Sequence, residues 1–87
     1  MIAYHAYFDG RYSESASHLD EAIALNDKDP RLYYFRGLAK YRLGDTDACV
    51  ADFQRGGDAE YNSTVPVGAA LERVQGRERL LLEEYRP

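Results

Sequence analysis

Asp29–Tyr61, DPRLYYFRGLAKYRLGDTDACVADFQRGGDAEY, is the stretch whose reading decides the fold. It opens with Asp29-Pro30. The aspartate can accept hydrogen bonds from the free amides of a first helical turn, and proline follows at the one helical position where its missing N–H costs nothing. Two runs of helical composition come next, divided by Leu43-Gly44-Asp45, and the second is expected to close at Gly56-Gly57. Sliding the chain back by 34 residues returns the same pattern: Gly10 falls under Gly44, Ser15 under Cys49, Leu19 under Phe53, and Ala22 under Gly56. Self-similarity at a fixed period of this size marks a repeat in which each unit is one helix–turn–helix. The expectation is an all-α chain.

Working outward, Met1–Asp9 reads as a short helix, apolar or aromatic at nearly every position. Against a full repeat it lacks about five residues before Met1. That shortfall fits either a frayed first helix or a trimmed longer parent chain, and the second is favoured. Gly10 supplies the turn, since a positive φ lets the next helix fold back. Arg11–Asn26 follows as an amphipathic helix with Tyr12, Ser15, Ala16, Leu19, Ala22, Ile23, Leu25 and Asn26 expected on its inner face. The third helix, Pro30–Leu43, is expected to bury Leu32, Phe35, Ala39 and Leu43. Gly37 within it faces a neighbour, because a helix keeps a costly glycine where another element must come close. Thr46–Gly56, capped by Asp45, buries Cys49, Val50 and Phe53.

After Gly57 the period decays. Ser63 or Thr64 can cap a helix carrying Val65, Val67, Ala69, Ala70, Leu71 and Val74. Gly76 reads as a turn, with a kink in one long helix as the alternative, and the tail to Pro87 reads as a cap over the open end of the stack. The predicted organisation is one domain, 1–87, with hairpins at about 1–27 and 29–57 and capping helices at about 64–86.

The spacing of Tyr33, Gly37, Cys49, Phe53 and Gly56, with its partial upstream copy, resembles the tetratricopeptide repeat family over about Met1–Tyr61. The sequence departs from that pattern at Arg36, where leucine is usual, at Lys40, where tyrosine is usual, and at Asp27 and Tyr61, where proline is usual. The resemblance implies a right-handed stack of antiparallel helix hairpins, an α-solenoid. It also implies a non-catalytic role, binding a peptide or partner domain in a concave groove lined by the first helix of each pair. Carried over position by position, Tyr4, Tyr7 and Phe8 line the groove from the first hairpin, and Arg31, Tyr34, Leu38, Tyr41 and Arg42 from the second. Glu72 is added from the tail. One branch of the family clamps acidic carboxy-terminal peptides with an asparagine and lysines. Here that asparagine position is Phe35, so the clamp is disfavoured. The alternative role is self-association within a larger assembly, a homodimer being its simplest form.

Composition bounds the rest. The net charge of −4 argues against a general affinity for nucleic acid, which requires clustered cations. No apolar run reaches the ~20 residues of a membrane span, and the N-terminus lacks the pattern of a secretory signal. A single cysteine excludes an internal disulfide and suits a reducing compartment, so a cytoplasmic location is expected. Eight tyrosines and no tryptophan make an aromatic surface with arginines at its edge, a composition typical of binding hot spots. Tyr34 and Tyr41 are read as binding residues, Tyr33 as packing.

Asp45, Asp47, Asp52 and Asp58 lack the central glycine and closing glutamate of a calcium loop. His5, His18 and Cys49 fall on three helices without paired spacing, so no metal site and no Cys–His catalytic pair is expected. Gly56-Gly57 is no phosphate loop. Neither an enzyme nor a cofactor is expected.

Overall fold

A computed structural model describes residues Met1–Pro87. The helices are α1 (Ile2–Phe8), α2 (Tyr12–Leu25), α3 (Pro30–Arg42), α4 (Thr46–Tyr61), α5 (Gly68–Leu71) and α6 (Arg77–Glu83). There are no strands. The all-helical class is therefore as the sequence indicates.

The two turn glycines do the same thing 34 residues apart. Gly10 and Gly44 have φ of 82° and 85°. After α1 the amides of Gly10 and Arg11 donate to the carbonyls of Tyr7 and Ala6. After α3 those of Gly44 and Asp45 donate to Tyr41 and Lys40. Each pair satisfies carbonyls that a helix end leaves free, in the Schellman arrangement that places glycine just past the last helical residue. Residues 6, 7, 10 and 11 thus map onto 40, 41, 44 and 45 in hydrogen bonding as well as in sequence. The start of α3 is fixed as expected, with Asp29 accepting from the amide of Arg31 at 3.0 Å and Pro30 in the first turn. Asp45 caps α4 by accepting from Ala48 at 3.2 Å.

The hairpins close on small residues. In the first, the Ser15 hydroxyl donates to the carbonyl of Ala3 at 2.7 Å. In the second, a Cβ placed on Gly37 would lie 3.1 Å from the Cys49 carbonyl and 2.7 Å from the Phe53 ring. Ala3/Ser15 and Gly37/Cys49 are the same pair one period apart, which confirms why glycine sits inside α3. Leu19, Phe35, Leu38 and Phe53 fill the spaces between and are fully buried. Burying side chains of this size contributes about 1.5–3 kcal/mol each.

Three boundaries differ from expectation. Helix α4 does not stop at Gly56-Gly57 but runs on to Tyr61. Both glycines are buried inside it, as places of close approach: a Cβ on Gly56 would meet the Tyr34 ring at 2.6 Å, and one on Gly57 would clash with the carbonyl oxygen of Tyr85. Leu43 lies past the last turn of α3 and is exposed. The capping helices are far shorter than 64–86: residues 62–67 are non-helical, α5 is a single turn, and only seven residues form α6. Gly76, at φ 86°, is a turn rather than a kink. The carbonyls before it are capped by a different device, since the Arg79 guanidinium donates to those of Leu71 and Val74.

The tail crosses back over the stack. Val67, Leu71, Val74 and Leu82 join the same core as α1–α4. Arg73 lies over the Phe8 ring of α1, Glu78 pairs with Arg42 of α3, and Tyr85 and Arg86 reach Phe53 and Glu60 of α4.

Candidate functional site

Phe35 is the hub on which the aromatic residues of α1 assemble. Tyr4 stacks on it at 4.2 Å between ring centroids, and Tyr7 and Phe8 meet it edge-on at 5.7 and 5.9 Å. Such pairs add about 0.5–1.5 kcal/mol each beyond their burial. Tyr7 is buried, while Tyr4 and Phe8 keep part of their surface in solvent. The α1–α3 packing therefore presents a rim of aromatic edges.

Arginines border that rim. The Arg73 guanidinium sits 4.1 Å from the Phe8 ring centroid, within cation–π range. Arg42 lies 5.9 Å from the Tyr12 ring and pairs with the buried Glu78 at 3.0 Å. Burial raises the Tyr7 hydroxyl above its ordinary pKa, against the nearby Arg42 guanidinium that lowers it. A cleft of about 270 Å³ opens here, walled by Tyr7, Phe8, Tyr12, Arg42, Arg73 and Glu78. Arg31 is committed elsewhere, gripping both oxygens of the Asp29 cap, with 2.6 Å for Nη2–Oδ2. That bond, more than the cost of burial, holds the Asp29 carboxyl below its usual range. Tyr41 is half-buried against the core.

Tyr34 and Leu38 are placed differently from the open groove expected of them. Both are fully buried. The Tyr34 ring packs on Gly56 and Phe53, and its hydroxyl donates to Glu60 Oε1 at 2.7 Å. Desolvation, then the Glu60 carboxylate, pushes the hydroxyl far above the ordinary tyrosine range. Tyr33, read as the packing tyrosine, is instead half-exposed. Its hydroxyl donates to the Asp27 carbonyl at 2.9 Å, and its ring lies under Arg36. The two neighbours on α3 have exchanged roles. Glu72 is exposed on the tail.

Two polar clamps were not foreseen. Arg36, one of the departures from the repeat pattern, holds the buried Asp52 of α4 with two bonds of 2.9 and 2.8 Å and reaches Asp20 of α2 at 3.0 Å. It ties three helices where leucine would only pack. Arg86 grips Glu60 at 3.0 Å through Nε and 2.7 Å through Nη2. The Arg86 guanidinium, more than any other group, keeps the Glu60 carboxyl below its usual range. Only the charge types hinted at these pairings, because residues 16 or 26 apart in sequence fall outside any helical spacing.

Cys49 is fully buried, and burial pushes its thiol up to about 11; a thiol so placed is not a ready nucleophile. No cluster of three or more His, Cys, Asp or Glu side chains lies close enough to hold a metal. No helix is long and apolar enough to cross a membrane.

Searches against protein-family models, curated proteins and solved structures find nothing that matches this chain.

Proposed function

We propose that the chain is a non-catalytic interaction module of tetratricopeptide type, binding a peptide or partner segment on the α1–α3 face. The observation that carries this reading is the rim itself. Tyr4 and Phe8 are half-exposed around the buried Phe35, with Arg73 and Arg42 beside a cleft large enough for a side chain. Aromatic residues and arginine together dominate the energetics of protein recognition. Groove lining by Tyr34 and Leu38 is no part of this proposal, because both are fully buried.

The arrangement suits a segment that inserts an apolar side chain beside Phe8 and sets a carboxylate against Arg73. The test is selection of linear peptides from a random displayed library on the immobilised full chain. The expected outcome is an enriched apolar–acidic motif whose binding falls at least tenfold in Arg73→Glu and in Phe8→Ser. If no motif emerges, or if the selected peptides bind both variants undiminished, the reading fails.

One observation favours self-association as a second reading. Met1, Ile2 and Leu25 are exposed apolar residues on the first hairpin, and Leu25, expected on the inner face of α2, is 90% exposed. Light scattering across a hundredfold range of concentration separates the two. A mass of 9.9 kDa throughout supports the open module, and a stable dimer supports self-association.

A further inference from the structure

The seat of Tyr85 and Arg86 on α4 is a built site. Gly57 has no Cβ, and the Tyr85 carbonyl occupies the place where one would stand. The Tyr85 ring lies 6.2 Å from that of Phe53. Both oxygens of Glu60 take the Arg86 guanidinium in a forked pair, which carries geometric specificity as well as charge. Tyr34, fully buried, aims its hydroxyl at the same carboxylate and fixes its orientation. The seat therefore reads three features of a ligand: a backbone carbonyl, an aromatic ring and an arginine one residue later.

Its resident is held by few contacts of its own. Glu84–Pro87 lie beyond the last helix and are tied to it by two backbone bonds, from the amide of Glu84 to Leu81 and from that of Tyr85 to Leu82. Lifting them gives up these bonds, the Tyr85–Phe53 ring contact and the Arg86 ion pairs with Glu60 and Glu83. Leu82 in the core and Glu78 on Arg42 precede them in the chain.

We propose that this α3–α4 seat is a second recognition site, separate from the α1–α3 rim, for a partner segment carrying an aromatic–arginine pair. The chain's own Tyr85-Arg86 is its built-in competitor. A tethered tail acts at an effective concentration in the millimolar range, so the seat stays closed to weak ligands and opens to those that match it better.

The probe is the pentapeptide EEYRP, titrated into isotopically labelled full chain and followed through the amide signals of Gly57 and Glu60. Arg86→Ala vacates the seat. Those signals are expected to shift and saturate at a peptide concentration at least tenfold lower than in the unsubstituted chain. Adding Glu60→Gln, or replacing the peptide by EEYAP, is expected to remove the response. Should Arg86→Ala lose its folded spectrum, Arg86→Lys takes its place, keeping the charge and losing the fork.

A folded vacated variant that shows no shift at Gly57 and Glu60 overturns the proposal, as does equal saturation with and without the resident arginine. Pairing of two vacated chains through this face would also overturn it, by giving the seat to a second copy. Binding of library-selected peptides beside Phe8 and Arg73 is unaffected by any of these outcomes, so the rim stands or falls by its own test.

Discussion

Between Ile2 and Tyr61 the helices are held by devices that recur every 34 residues: a glycine turn with paired backbone bonds, a small–small crossing, and a large apolar side chain set between helices. Between Asn62 and Pro87 only the positive-φ glycine returns, at Gly76. The tail has two short helices, and the Arg79 side chain caps the carbonyls of Leu71 and Val74 before its turn. Four of its residues, Val67, Leu71, Val74 and Leu82, join the core, and it is fastened at two points by charge, Glu78 to Arg42 and Arg86 to Glu60. The contrast separates what recurs from what is particular. Periodic packing orders α1–α4, and core contacts and ion pairs at no regular spacing hold the tail.

The contrast breaks most severely at Phe53, which touches both regions. It packs on Gly37 and Tyr34 within the stack and on Tyr85 of the tail. Phe53→Ala is expected to cost about 3–5 kcal/mol, read by urea denaturation, with stack and tail lost together. Gly57→Ala sharpens the comparison. Its methyl group would occupy the place of the Tyr85 carbonyl, and the expected loss is about 1–3 kcal/mol. Hydrogen exchange should speed up in residues 77–86 while α1–α3 keep their protection. Gly68→Ala is the control within the tail: open space surrounds that position, so a gain of about 0.4–1 kcal/mol is expected.

A smaller effect comes from acid. The Glu60 carboxyl lies below its ordinary 4.5 in the folded chain, chiefly through Arg86. Its stabilisation is therefore complete above that value and is lost as pH falls through the lowered folded-state pKa. Glu60→Gln should cost about 1 kcal/mol at neutral pH and flatten the acid limb of the stability profile. The part due to Asp29, also lowered, remains. The smallest expected effect tests the equivalence of the hairpins. Ser15 bonds the Ala3 carbonyl, so Cys49→Ser should let the new hydroxyl bond the Gly37 carbonyl and change stability by no more than about 1 kcal/mol. A much larger loss would mean that the two crossings are not alike.

The helices and turns of residues 2–61 were legible because their information is local and repeated. Asp29-Pro30, Gly10, Gly44 and the small residues at 15, 37 and 49 each announce one structural event, and the period says where the next will fall. Gly56-Gly57 misled for a physical reason. Two adjacent glycines ordinarily end a helix, but here they admit the Tyr34 ring and the tail backbone, and burial outweighs their poor helix propensity.

At the site, Tyr4, Phe8, Tyr41 and Arg42 could be placed at a surface from their register on α1 and α3. The full burial of Tyr34 was not foreseen, because it rests on the room left by Gly56 and on a bond to Glu60, 26 residues away. The Glu60–Arg86 pair that marks the return of the tail has no spacing of its own to show it.

The account rests most directly on the tail's lying across its own α3–α4 face. Isotope-filtered NOE spectra on an equal mixture of labelled and unlabelled chains test this in one measurement. The prediction is contacts from the Tyr85 ring to Phe53 and from its backbone to Gly57 within a single chain, with none between chains. Contacts found only between chains, or none at all, would contradict it.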